Sequence, residues 1–166
     1  MKAALKSIRK ERDFLTISML AHEIWREHYA AIISSDQIEY MLEKYQTVNA
    51  IKSAIAGGYE YFLIKHAGIP IGYAGIKANE PIGKLFLSKF YLLKDYRGKG
   101  YAHDIIDELC EKARRLHQNS IWLTVNKSNS SIRAYEKLGF HITDNVCTDI
   151  GSGYFMDDYI MEKIVL

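Results

Sequence analysis

Apolar positions along the chain recur with two different periods, and the changes between them divide it into elements. Over residues 12–29, Phe14, Leu15, Ile17, Leu20, Ala21, Ile24 and Trp25 return about every 3.6 positions, which predicts an amphipathic helix with Asp13 placed to cap it. A short strand near residues 4–8 precedes it. Ser34, Ser35 and Asp36 form an N-cap signal ahead of Ile38, Met41, Leu42 and Tyr45, and a third helix around residues 48–56 stops at Gly57-Gly58. From residue 59 the period changes. Residues 59–65, 70–77 and 84–93 are aromatic and aliphatic runs, separated by His66-Ala67-Gly68 and Asn79-Glu80-Pro81-Ile82-Gly83, and they predict a three-strand meander.

Residues 98–117 return to the helical period, with Ala102, Ile105, Ile106, Leu109, Ala113 and Leu116 on one face and Asp104, Asp107, Glu108, Lys112 and Arg115 on the other. A buried strand at 121–125 follows. Asn129-Ser130-Ser131 then caps a short helix through Ile132, Tyr135 and Leu138 that stops at Gly139, and two strands near 140–149 and 154–165 turn at residues 150–153. The strand at 84–93, the helix at 98–117 and the strand at 121–125 make a right-handed parallel crossover. The expected fold is therefore an α/β mixed sheet, largely antiparallel, with one parallel pair and helices on its faces.

Composition narrows the function classes. A chain of 166 residues, 48% apolar and 25% charged, suits one domain over residues 1–166. No apolar run reaches the roughly 20 residues of a membrane span, and the start Met1-Lys2-Ala3-Ala4-Leu5-Lys6 lacks a secretory signal, so a cytoplasmic location is expected. Cys110 and Cys147 have neither disulfide-framework nor zinc-ligand spacing, so no metal is expected. A net charge of +2 with interspersed signs argues against a nucleic-acid partner and for a small-molecule or peptide substrate. The strand at 154–165 reads equally as a sheet edge or as the seam of a homodimer.

Candidate chemistry lies in Arg97-Gly98-Lys99-Gly100-Tyr101-Ala102, between a strand end and a helix start. There the unpaired N–H groups and the positive end of the helix dipole favour an anion, and glycines let a phosphate approach the backbone. A plain glycine turn is the alternative. A P-loop would need GxxxxGK followed by Ser or Thr, which is absent. A dinucleotide loop would need a third glycine where His103 stands and an acid where Asn126 stands.

The motif [Q/R]-x-x-G-x-[G/A], matched by Arg97, Gly100 and Ala102, resembles the cofactor motif of the GNAT acetyltransferases. The run from Val125 and Asn126 to Tyr135-Glu136-Lys137-Leu138-Gly139-Phe140 is similar to that family's second signature. The resemblance implies the GNAT fold, a twisted sheet of about seven strands, and acetyl-CoA as co-substrate without a metal. It further implies that Arg97, Gly98, Lys99, Gly100, Tyr101 and Ala102 hold the pyrophosphate and that the backbones of Phe90 and Leu92 pair with the pantetheine arm. Asn129 would also touch the cofactor, and Tyr135 would protonate the departing thiolate.

The implied reaction is direct attack by a primary amine, with Leu92 (or its neighbour Phe90) supplying a backbone N–H to the developing oxyanion. Many members carry a glutamate on the fourth strand to deprotonate the amine. Here that strand reads Leu85-Phe86-Leu87-Ser88-Lys89-Phe90-Tyr91-Leu92, with no acid. Glu27 is assigned the role of base, with Glu23, Glu39, Asp149, Asp157 and Asp158 as alternatives. Trp25, His28, Tyr29, Tyr40 and Tyr45 among acids make an acceptor wall suited to a polyamine-like cation. A peptide or protein amine is the rival, and a non-catalytic acyl-CoA-binding module the rival of another class.

Overall fold

A computed structural model describes residues 1–166 as β1 (Ala4–Ser7), α1 (Glu11–His28), α2 (Ser35–Tyr45), α3 (Val48–Ala56), β2 (Glu60–His66), β3 (Ile69–Lys77), β4 (Lys84–Leu92), α4 (Tyr101–Arg115), β5 (Ser120–Asn126), α5 (Ser131–Lys137), β6 (His141–Gly151) and β7 (Tyr154–Ile164). The seven strands form one sheet in the order β1-β2-β3-β4-β5-β7-β6. Every neighbouring pair is antiparallel except β4 and β5, which are joined through α4 and run parallel. The order of elements and the single parallel crossover match the hydrophobic pattern.

Strand alternation gives the sheet two faces and therefore two cores. Phe62, Ile64, Ala74, Leu85, Leu87 and Leu92 pack with Ile105, Ile106 and Leu109 of α4. Tyr61, Leu63 and Tyr73 pack with Ile17, Ile24 and Trp25 of α1 and with Met41 and Ile51 of the next two helices. In the second core the fully buried Tyr73 hydroxyl accepts from Trp25 Nε1 at 2.9 Å and donates to Gln46 Oε1 at 3.0 Å, so no polar end of either ring is left bare.

Two local expectations change. Asp13 sits inside α1, and its carboxylate accepts the backbone N–H groups of Arg9 (3.0 Å) and Lys10 (3.1 Å), so it caps from within the first turn. Those bonds hold its carboxyl below the usual range. The last strand is not a sheet edge: β7 pairs through residues 158–164 with β5 and through residues 154–162 with β6, which leaves β6 and β1 as the edges. Inserting β7 between its two neighbours satisfies both rows of its backbone groups where the two ladders overlap, over residues 158–162.

Candidate active site

The parallel pair holds together only at its start. Residues 84–86 pair with residues 120–122, and beyond them β4 and β5 separate. The cause is on the other side of β4. The ladder with β3 slips between Gly75 and Ile76, opposite Lys89 and Leu87, so Ser88 is an extra residue. A bulge of this kind bends its strand. A cavity of about 640 Å³ follows the opening, lined by residues 87–92 on one side and 123–126 on the other. The N–H of Leu93 bonds to the Ile71 carbonyl on the β3 side at 2.8 Å. The antiparallel ladder alternates, so the N–H groups of Leu92 and Phe90 turn the other way, into the opening.

At the mouth of this cleft Gly98 (φ 72°) and Gly100 (φ 87°) take left-handed conformations, and the space where their Cβ atoms would stand is open for 4 Å. The backbone N–H groups of residues 98–103 donate to nothing in the protein, and the first helical bond of α4 runs from Asp104 N to Gly100 O. Gly98, Gly100, Ala102 and His103 line the cavity. The result is an arc of donors at a helix start, suited to a pyrophosphate.

The side chains of the loop divide. Arg97 ties it down: Nε donates to the Leu92 carbonyl at 3.0 Å, and Nη1 lies 2.8 Å from one carboxylate oxygen of Glu27 and 3.2 Å from the other. Lys99 is exposed, its ammonium 5.9 Å from the Tyr96 ring centre. Tyr101 turns its ring onto His66, centroids 4.6 Å apart, and is not part of the cavity wall.

Asn129 is buried at the foot of α5, where Oδ1 accepts the N–H of Ser131 at 2.8 Å. Its backbone N–H donates to the Asn126 carbonyl at 2.9 Å. The side chain of Tyr135 lies against Phe90 and Phe140, ring centroids 6.4 and 5.7 Å away. Its hydroxyl makes no hydrogen bond within the protein, and the residue lines the cavity. Burial, and then nearby Tyr29, push the phenol well above its usual range, so it is protonated at neutral pH.

The acids expected to serve as base are scattered, and of them Asp158 alone lines the cavity. Glu27 stands outside with its carboxylate against Arg97. Glu39 pairs with Arg26 at 2.7 Å, Asp157 pairs with Lys127 at 3.0 Å, and Asp149 accepts the Gly151 N–H at 2.8 Å. Asp158, on β7 opposite Asn126, is 7% exposed, and its Oδ1 is buried without a hydrogen-bond partner. Burial, and then the neighbouring Asp157, push its carboxyl up to about 6.

On the face toward α1 and α2, Trp25, His28, Tyr29, Met41, Tyr45 and Tyr91 complete the wall. The Tyr29 and Tyr91 hydroxyls lie 3.0 Å apart, and burial pushes Tyr29 up to about 12. Burial also lowers the pKa of His28, which Arg97 lowers further, so its imidazole is neutral at pH 7. Sequence reasoning passed over Met41 and Tyr91 on this wall and one charged wall residue, Lys89. The signal was a lone charge in the otherwise apolar middle of β4.

The comparisons show the family and the fold. The acetyltransferase (GNAT) domain family matches residues 29–155. An uncharacterised N-acetyltransferase of Mycobacterium bovis is 32% identical over 100 residues, which are 60% of this chain and 63% of that relative, so the match spans less than two thirds of the relative's length. Two solved structures share the fold. The PaiA N-acetyltransferase of Thermoplasma acidophilum, in complex with coenzyme A, superposes with TM-score 0.82 at 23% identity, covering 99% of both chains. A spermidine N-acetyltransferase chimera from Vibrio cholerae gives 0.71 at 18%, covering 99% of this chain and 96% of the other.

Proposed function

The chain belongs to the GNAT acetyltransferase family, and on that premise we propose that it moves an acetyl group from acetyl-CoA to a primary amine by direct attack in a ternary complex. The observation that carries the reading is one cleft with an arc of free N–H groups at its mouth and two protonatable side chains, Asp158 and Tyr135, on its wall. The arc fits the pyrophosphate, and the N–H groups of Phe90 and Leu92 fit an amide-bearing arm laid along β4 in place of a neighbouring strand. When bound, acetyl-CoA supplies the acetyl group as a thioester.

The protein's part is to hold, orient and move protons. Asp158 takes the first proton from the incoming ammonium, a task for which a carboxylate raised toward neutrality is better suited than an ordinary one. The Leu92 N–H faces the negative charge that develops on the thioester oxygen as the N–C bond forms. Tyr135 gives its proton to the leaving sulfur as the C–S bond breaks. A phenol with so high a pKa is a weak acid for a thiol of ordinary pKa about 8.5. Burial raises the thiolate's pKa too, which narrows the gap. The amine nitrogen gives up its second proton, which restores Tyr135, and Asp158 passes its own to solvent, so one proton is released per turnover.

Tyr135→Phe is expected to lower kcat about 100-fold and to leave acetyl-CoA affinity within about twofold of wild type, because the ring's packing on Phe90 and Phe140 is retained. Free-thiol release across a panel of amines and calorimetric titration with acetyl-CoA measure the two. An unchanged kcat removes Tyr135 from the acid role. Binding without thiol release by the wild-type chain on any amine makes it a binding module instead.

The acceptor side gives a polyamine mixed support. The rings of Trp25, Tyr29, Tyr45 and Tyr91 suit a cation, but Asp158 is the one carboxylate of the wall and the ammonium of Lys89 faces the same cavity.

A further inference from the structure

Lys89 and Asp158 are a pair of opposite charges that the fold keeps apart. Lys89 lies two residues before Tyr91 on the face of β4 toward α1 and α2, and its ammonium is 5.8 Å from the centre of the Tyr45 ring. Its only polar partners belong to its neighbour Ser88, the carbonyl at 3.4 Å and the hydroxyl at 3.2 Å. No carboxylate offsets its charge, and burial alone pulls its pKa down to about 8. Asp158 shows the mirror image, a buried carboxylate with one oxygen unpartnered. Uncompensated charges in a protein wall cost stability. A surface lysine escapes that cost by extending into bulk water, but the Lys89 side chain is part of the cavity wall instead.

We propose that the acceptor is an amine that also carries a carboxylate, with its ammonium taken to Asp158 and its carboxylate to Lys89. The inference rests on the transferase reading above and names its substrate class. A ligand bearing both charges compensates both walls at once. A polyamine would satisfy Asp158 and meet repulsion at Lys89, and an uncharged amide would leave Lys89 bare.

The test is a set of matched pairs: amino acids and ω-amino acids from glycine to 6-aminohexanoate, each against its own amide, with spermidine alongside. Thiol release is measured and kcat/KM is expressed per ammonium form, the form taken to Asp158. At least one acid is expected to exceed its amide about 10- to 100-fold, the range of one charge-assisted hydrogen bond. Lys89→Met should remove that preference by lowering the acid alone, Lys89→Arg should keep most of it, and the KM for acetyl-CoA should stay the same in both. Amides or spermidine equal to or better than every acid in the wild-type protein overturn the inference and leave the transferase reading standing, as does a Lys89→Met variant that slows acid and amide alike. No thiol release from any member overturns the transferase reading itself.

Discussion

Asp158→Asn is expected to lower kcat/KM by about 100- to 10,000-fold, the range of a lost general base, and to make the protein more stable at neutral pH. Both effects have one cause. The carboxyl is 7% exposed with an unpartnered oxygen, and its pKa stands at about 6 against an ordinary 3.8. A raised carboxyl pKa means that the folded chain resists ionising the group. Its contribution to stability is fully present below the ordinary pKa near 4 and is lost as pH rises through about 6. Asparagine never ionises, so the variant should exceed wild type by about 2 to 3 kcal/mol above pH 7, and the gap should close below pH 4. Denaturant melts at pH 4 and pH 8 measure this. In kinetics, kcat/KM per ammonium form should fall below about pH 6 in the wild type and show no break at that pH in the variant. Parallel pH profiles, or a fully active variant, remove Asp158 from the role of base.

Gly100→Val should weaken acetyl-CoA binding about 100-fold or more while the protein still folds. At φ 87° a β-branched residue is strained by about 1 to 3 kcal/mol. The loop can relieve that strain only by turning its backbone, which redirects the N–H groups of residues 98–103. Nothing in the protein lies within 4 Å of the added Cβ, so the damage is to the arc and not to the core. Gly153 provides the control. It has φ 80° and an equally open surround, but it sits in the turn between β6 and β7. Gly153→Val should cost similar stability and leave affinity intact. Calorimetric titration of both variants separates the two effects, and undiminished affinity in Gly100→Val overturns the pyrophosphate assignment.

How much was legible differs between the cofactor side and the acceptor side. Gly98, Gly100, Asn129 and Tyr135 lie within about forty residues of one another, and each is placed by a local rule: a left-handed loop, a helix start, an Asx cap. Arg97 was legible as part of the loop but not as a strut, because its partners Glu27 and the Leu92 carbonyl are set by how α1 packs beside β4. Glu27 was a reasonable base on a list of acids, since a sequence shows which carboxylates exist and not which have met a guanidinium.

Asp158 and Lys89 are the clearest cases. Asp158 stands beside Asp157 in the chain, and the two differ only in strand alternation: one faces the cavity and the other faces solvent and Lys127. Which of them turns inward depends on β7 lying between β5 and β6, a pairing across more than thirty residues. Lys89 faces the acceptor side because one extra residue, Ser88, shifts the alternation of β4, and a bulge of that kind carries no composition of its own.

By itself the sequence determined the order of elements, the parallel crossover and the glycine loop at the start of α4, because the period of apolar residues, capping chemistry and glycine conformation act over a few positions at a time. Tertiary structure alone decided where β4 parts from β5, which acid is buried without a partner and that Lys89 lines the same cavity. Those outcomes come from burial and register between strands distant in the chain, and both depend on the whole sheet.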